Sequence, residues 1–179
     1  MTKDHGMFTP GLPSDEVQRF LKENPVANWE ESLVYLMDKY PQVKKEGVQW
    51  VVEGGAAVRL HNPHRQTPND VDIISMNFKM KEEFSNSKRF DIKTLQDWFN
   101  LRDLEYTQET GDLLLSNTQF IDFRGKPLLL LNPIALVVSK TISTHRHALH
   151  RPEDKVDIEL LSVNPQLVST LTQQITRRK

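Results

Sequence analysis

The spacing of apolar and polar residues along the chain predicts a small β-sheet with helices packed around it. Apolar runs bounded by turn-forming residues are typical of strands, whereas apolar residues at intervals of three and four are typical of helices. Strands are predicted at residues 48–52, 71–74, 113–115, 120–123 and 128–131. Helices are predicted after Ser14, from Asn28 to Pro41, after Gly54-Gly55, at residues 91–102, from Asn132-Pro133 through Lys140, and at residues 166–176. This order predicts an α/β (α+β) fold with a small mixed sheet flanked by helices.

Capping residues mark two of the helix starts and help to define the domain. Asn28 is followed three residues later by Glu31, which is the spacing of a capping box. Pro133 occupies a predicted first helical position, where a proline costs no hydrogen bond. Residues 1–13 contain two prolines and two glycines and are predicted to form an irregular arm. Residues 14–179 are long enough for one domain, with N- and C-terminal helices packed on the sheet.

Residues 51–75 carry the most informative pattern in the chain. A predicted strand ends at Gly54-Gly55, and a short helix follows. Because side chains alternate along a strand, Asp70 and Asp72 are predicted to point to the same face of the next strand. Taken separately, the two glycines also fit an ordinary turn and the two acids a solvated strand face.

Together, the glycines and the acids predict a site for a nucleoside triphosphate. A helix N-terminus preceded by glycines presents free backbone N–H groups to a phosphate. Two neighbouring carboxylates repel each other when both are ionised, so a cation is expected between Asp70 and Asp72. Oxygen ligands favour Mg²⁺ or Mn²⁺ over zinc.

The chain resembles a known superfamily at these positions. Gly54-Gly55 and Asp70-Val71-Asp72-Ile73 match the glycine pair and the alternating acids of the DNA polymerase β-like nucleotidyltransferases. The resemblance extends over residues 48–161 and is closest to the small bacterial enzymes of the abortive-infection, type IV toxin kind. Those enzymes also have a counterpart of Arg65-Gln66-Thr67. Fourteen residues separate Gly55 from Asp70, which is at the long end of the usual spacing.

The resemblance implies a nucleotidyltransferase fold and a set of residue roles. It requires a third acid on a neighbouring strand, for which Asp122 is the candidate. The implied catalytic residues and ligands of Mg²⁺ or Mn²⁺ are Asp70, Asp72 and Asp122, and the implied nucleotide-binding residues are Gly54, Gly55, Arg65 and Lys140. The β- and γ-phosphates would lie at the glycines, with Arg65 or Lys140 supplying positive charge. The alternatives are an exposed strand aspartate at Asp122 and a solvent-facing lysine at Lys140.

The implied activity is the transfer of a nucleoside monophosphate from a metal-bound triphosphate to a hydroxyl acceptor. The acceptor would be an RNA end, a protein side chain or a small molecule. The alternative is a catalytically idle nucleotidyltransferase-like module that acts through a partner, as an antitoxin or a scaffold does. Few residues remain for an acceptor-binding domain, so a homodimer or a partner chain is expected to complete the cleft.

A histidine cluster lies in the second informative segment, residues 139–161. His145, His147 and His150 are separated by two and three residues, so they cannot share one face of a helix. Zinc is therefore not predicted there, because its ligands must converge on one point.

Two further acids follow the histidines. Asp154 and Asp157 are three residues apart and share a helical face, as in the Asp-x-x-Asp motif of the toxin-type enzymes. We interpret them as structural residues that pair with Arg151 or Arg146.

The composition limits the classes of protein to which the chain can belong. The chain has 37% hydrophobic and 26% charged residues and a formal net charge of −1, which gives no sign of a general nucleic-acid-binding surface. It contains no cysteine, so disulfides and thiolate metal sites are excluded. Neither an apolar run of membrane-spanning length nor a secretory start is present, and the expected location is the cytoplasm without membrane contact.

Overall fold

A five-stranded mixed sheet forms the centre of the protein. The computed structural model describes residue 15 and residues 28–85, 87–146 and 152–176. The strands are β1 (Trp50–Glu53), β2 (Val71–Ser75), β3 (Phe90–Lys93), β4 (Thr118–Phe123) and β5 (Lys126–Leu131). The described helices are α1 (Trp29–Lys39), α2 (Gly54–His61), α3 (Phe78–Glu83), α4 (Leu95–Asn100), α5 (Gln108–Ser116), α6 (Pro133–Arg146), α7 (Pro152–Leu161) and α8 (Pro165–Thr176).

The strand order across the sheet is β3-β2-β1-β5-β4. The central strand β1 pairs with β2 in antiparallel and with β5 in parallel orientation. Of the two outer strands, β3 is parallel to β2 and β4 is antiparallel to β5. The structure therefore confirms the predicted α/β class with a small mixed sheet flanked by helices.

The predicted helix caps are present, with one difference in detail. Oδ1 of Asn28 accepts hydrogen bonds from the backbone N–H groups of Glu30 and Glu31 at 3.1 and 3.4 Å, which begins α1. The carboxylate of Glu31 instead binds Nη1 of Arg124 at 2.8 Å, across to the β4–β5 hairpin. Pro133 is the first residue of α6, as predicted.

Two predicted segments are wrong. Residues 91–102 were expected to form one helix, but residues 91–93 belong to strand β3, and α4 begins only after Thr94, whose side chain caps it. Residues 113–115 were expected to form a strand and lie in helix α5. A short apolar run fits either element, and here the reciprocal cap formed by Thr107 and Thr110 begins a helix.

Some predictions fall outside the described residues. The N-terminal arm at residues 1–13 and the helix expected after Ser14 belong to this group. No element was predicted for residues 76–90, and the structure has α3 there.

The core lies where the central strands meet the helices around them. Its largest fully buried side chains include Trp50, Trp98, Leu33, Leu36 and Leu130. Burying a side chain of this kind stabilises the fold by roughly 1.5–3 kcal/mol. Helix α2 contacts β1, β2, α6 and α7, so the glycine-initiated helix is held from several sides. Within the described part of the chain, no helix combines the length and hydrophobicity needed to cross a membrane.

The packing of α5 can be tested by mutation. Leu114 is fully buried, so Leu114→Ala is expected to lower the free energy of unfolding by roughly 2–5 kcal/mol. Asp112→Ala, at an exposed position of the same helix, is the control and should change it by about 0.5 kcal/mol or less. Urea unfolding of both variants measures the difference. Equal losses at the two positions would contradict this packing.

Candidate functional site

A polar cleft of about 480 Å³ opens beside the start of helix α2. This volume lies within the range of small-molecule sites in proteins. Its lining includes the predicted residues Gly54, Gly55, Arg65, Asp70, Asp72 and Lys140, together with Glu53, Asp91, Lys93 and Arg102. Six of the seven residues predicted for the site therefore line one cleft, and the seventh, Asp122, lies elsewhere.

Three carboxylates stand in a row across neighbouring strands. Glu53 of β1 pairs in register with Asp72 of β2, and Asp72 pairs with Asp91 of β3. Residues that face each other in a ladder point to the same side of the sheet, so all three share one face. Asp70 precedes Asp72 by two residues and lines the same cleft, as the alternation predicted.

Asp122 does not belong to this row. It lies on edge strand β4, which is separated from β2 by both β1 and β5. Three strand spacings amount to about 14 Å. Its Oδ1 accepts a hydrogen bond at 3.0 Å from the backbone N–H of Gly125 in the hairpin turn. The prediction that Asp122 converges with Asp70 and Asp72 is therefore wrong.

Close packing explains the glycine pair. Gly54 has a φ of 63°, a conformation that favours glycine, and a Cβ atom there would collide with Oδ2 of Asp72. A Cβ atom on Gly55 would lie 2.6 Å from Nη2 of Arg65. The Asp72 carboxylate thus lies against the N-terminus of α2, and the Arg65 guanidinium covers the next residue.

A lysine that the sequence analysis missed occupies the middle of the acidic row. Nζ of Lys93 donates hydrogen bonds to Oε1 of Glu53 at 2.8 Å, to Oδ1 of Asp72 at 3.3 Å and to Oδ2 of Asp91 at 3.3 Å. Burial acts to lower the pKa of Lys93, but Glu53 and Asp72 raise it by more, so the side chain remains a cation. The alternation in Phe90-Asp91-Ile92-Lys93 was the available signal for a strand.

Glu53 holds this lysine from the buried side. Its side chain is 4% exposed, and Oε2 accepts a hydrogen bond at 2.7 Å from Nε1 of Trp98. Burial acts to raise the pKa of Glu53, but Lys93 and Arg102 lower it by more. Arg102, also missed from the sequence, stacks on the Trp98 ring with Cζ at 4.0 Å from the ring centroid. Glu53 is therefore ionised and paired.

On this side of the cleft, acidic side chains outnumber the cations. The acids are Glu53, Asp70, Asp72 and Asp91, and the cations are Lys93 and Arg102. Burial raises the pKa of Asp72 to about 7, with Lys93 opposing the shift and Glu53, Asp70 and Asp91 adding to it. Burial and Asp91 also raise the pKa of Asp70. An additional cation near Asp70 and Asp72 would relieve this repulsion.

The opposite wall of the cleft carries two cations, Arg65 and Lys140, which share one buried acid. Asp157 is 2% exposed and accepts hydrogen bonds from Nε and Nη2 of Arg65 at 3.0 and 3.3 Å. Nζ of Lys140 lies 2.8 Å from Oδ2 of Asp157 and 3.0 Å from Oδ1 of Asp154. Asp154 and Asp157 thus bind Arg65 and Lys140. The side chains of the partners expected from the sequence, Arg146 and Arg151, lie outside the described residues.

The residues present do not fit a centre with two metal ions held by three acids. Among the described residues, no group of three or more histidine and acidic side chains converges so as to hold a metal ion. The position shared by Asp72 and Asp91 is taken by the Lys93 ammonium. A single divalent cation beside Asp70 and Asp72 fits the donor set and the raised pKa of both groups. The histidine cluster around His147 lies outside the described side chains.

Comparisons with known proteins give one structural resemblance. No protein-family model matches the chain, and no curated protein matches it significantly. The structure is similar to that of an antigenic nucleotidyltransferase-like protein from Paracoccidioides brasiliensis, with 17% sequence identity and a TM-score of 0.48. The match covers 91% of this chain and 88% of the other. A similarity at this level describes the course of the backbone and supports no statement about substrate or reaction.

The raised pKa of Asp72 predicts a pH-dependent effect of removing its charge. Between the ordinary value of 3.8 and about 7, the folded protein retains a proton that the unfolded chain releases. The free energy of unfolding therefore falls as the pH rises through this window, by roughly 4 kcal/mol at most. The Asp72→Asn side chain does not ionise, so this variant avoids the loss of stability. The difference in free energy of unfolding between Asp72→Asn and the parent should therefore grow from pH 4 to pH 7 and then level off.

Urea unfolding of the parent and of Asp72→Asn at several pH values measures this difference. A constant difference between the two proteins across the whole range would show that burial does not hold the proton on Asp72.

Proposed function

We propose that the protein is a nucleotidyltransferase that transfers a nucleoside monophosphate from a nucleoside triphosphate to a hydroxyl acceptor. The observation that carries the proposal is the position of the Asp72 carboxylate. It lies against Gly54 at the N-terminus of α2, in the same cleft as Asp70. A phosphate-binding helix end and an oxygen ligand for a cation are thus adjacent, as a metal-bound triphosphate requires.

Arg65 and Lys140 support binding of the triphosphate. Arg65 covers the start of α2 and pairs with Asp157. Lys140 lines the same cleft, so both cations are within the site without needing to leave their partners. In this proposal the backbone N–H groups at Gly54 and Gly55 bind the β- and γ-phosphates, and the two cations offset their charge.

The acidic wall supports the chemistry. Mg²⁺ or Mn²⁺ would be held by Asp70 and Asp72, and it would neutralise charge on the transferred phosphoryl group. The third acid that the superfamily requires is Asp91 in this proposal, because it stands directly beside Asp72 in the sheet. Its side chain is 59% exposed, so it is accessible to an incoming hydroxyl group and can accept its proton.

The acceptor and the partners belong to the proposal as well. An RNA end, a protein side chain or a small molecule remains the candidate acceptor, and a homodimer or a partner chain would complete the cleft. The kinship to the abortive-infection, type IV toxin enzymes is part of the same proposal.

A second candidate function is favoured by one observation. The Lys93 ammonium lies within the acidic row, where a transferase of the two-metal type would bind an ion. A nucleotide-binding module without catalysis, acting as an antitoxin or scaffold, would tolerate this arrangement. Binding without transfer distinguishes it from the enzyme.

The function is tested by supplying each α-labelled nucleoside triphosphate with Mg²⁺ or Mn²⁺, total RNA and total protein. The parent is expected to move label into one acceptor. Asp91→Asn should lose transfer by roughly 100-fold or more, the usual effect of removing a catalytic base. Asp122→Asn is the matched control and should transfer at the parent rate, since it lies outside the cleft. Loss with Asp122→Asn but not with Asp91→Asn would reverse the assignment, and triphosphate binding without any transfer would favour the binding module.

Triphosphate binding is tested at the glycine pair. Gly55→Val places a side chain where the Arg65 guanidinium lies, so it displaces the arginine and fills the space before α2. Triphosphate affinity should fall by roughly tenfold or more, the loss of one charge-assisted contact. Gly47→Ala is the control, because nothing lies within 4 Å of its added Cβ atom. Calorimetry with folded variants measures the affinities, and unchanged affinity in Gly55→Val would exclude this phosphate position.

A further inference from the structure

Lys93 is bound more completely than a lysine at the rim of a cleft. Its side chain is 10% exposed, and Nζ uses its three donors on three different carboxylates. The three acceptors belong to three adjacent strands, so the ammonium joins β1, β2 and the end of β3. An ammonium with all its donors used in this way is a fixed part of the site.

The ammonium and a divalent cation compete for the same place. Nζ lies 3.3 Å from Oδ1 of Asp72 and 3.3 Å from Oδ2 of Asp91, between the two carboxylates. A magnesium ion bridging those oxygens would lie about 2.1 Å from each of them. Both cations cannot occupy this space, and their like charges would repel each other at such a distance.

The buried end of the site keeps Lys93 in place. Glu53 is almost fully buried and ionised, and the bond from Trp98 fixes its other oxygen. Moving Lys93 away would remove the ion pair of the buried Glu53 carboxylate, which is unfavourable even with the hydrogen bond from Trp98 kept. The three hydrogen bonds of Lys93 go to Glu53, Asp72 and Asp91, and Asp70 is not among its acceptors.

We infer that Lys93 is an internal cation that replaces a divalent metal ion between Asp72 and Asp91, so the cleft binds one divalent ion, beside Asp70, instead of two. This inference deepens the proposed function and concerns the same site. It assigns Lys93 as a residue that determines metal stoichiometry, a role absent from the three-acid arrangement that the resemblance implies.

Binding of Mn²⁺ to the nucleotide-free protein tests the inference separately from the proposed function. Electron paramagnetic resonance counts the bound ions, and thermal unfolding with and without Mn²⁺ reports their effect on stability. In the parent background, Asp91→Asn is expected to leave the number of bound Mn²⁺ ions unchanged, because Asp91 binds Lys93. Lys93→Gln should bind one more Mn²⁺ per chain, with affinity at that position raised roughly tenfold or more.

The additional ion must depend on Asp91. Adding Asp91→Asn to Lys93→Gln is therefore expected to abolish it. Lys140→Gln is the matched control, since it removes one positive charge from the opposite wall of the same cleft. Any ion that this control gains should be insensitive to Asp91→Asn.

A second variant covers the case in which Lys93→Gln does not fold. Glu53→Gln combined with Lys93→Gln removes both charges of the buried ion pair together, and the new amide oxygen can still accept the bond from Trp98. This double variant should also gain the Asp91-dependent ion. The inference is overturned if the parent binds Mn²⁺ through Asp91, or if the folded lysine variants gain no ion. The proposed function fails separately, if the parent binds no triphosphate.

Discussion

The buried ion pair between Glu53 and Lys93 is the interaction on which the site depends. A charged group removed from water is stable only when it is paired and hydrogen-bonded, and here both conditions are met. The pair fixes the ends of β1 and β3 relative to each other and anchors α4 through Trp98. Because Asp72 stands between these two strands, the same pair places its carboxylate against the start of α2.

A second charge network forms the other side of the cleft. Asp157 is buried on α7 and binds both Arg65, from the loop after α2, and Lys140, from α6. Its burial makes these contacts strong, because little water is present to compete with them. Three segments far apart in the chain therefore meet at one carboxylate. The cleft between the two networks has Asp70, Asp72 and Asp91 on one side and the paired cations Arg65 and Lys140 on the other.

The two functional hypotheses give Lys93 different roles. With Lys93 in the acidic row, charge near Asp91 is already partly neutralised before any ligand enters. A transferase of this kind would need only the cation that accompanies the triphosphate. A binding module would use the same lysine solely to stabilise the fold. The two differ in whether Asp91 takes part in proton transfer, and its exposure leaves it accessible for that step.

The sequence by itself determined the local part of this site. The glycine pair, the alternation of Asp70 and Asp72, the cap at Asn28 and the proline at the start of α6 act over a few residues, and all are present as predicted. Only the tertiary structure decided which acid stands beside Asp72. Asp91 and Asp122 both lie in short strands with alternating neighbours, and the order of strands places one next to β2 and the other three strands away.

Lys93 was missed in the sequence analysis for a related reason. The apolar residues Ile92, Leu95 and Phe99 recur at helical intervals, so the strand and the helix that follow each other there read as one helix. Pairing with β2 overrides this local pattern, since the ladder joins residues 90–93 to residues 71–74 and directs Lys93 into the cleft. Such pairing depends on contacts between distant segments, which the spacing of residues within one segment does not contain.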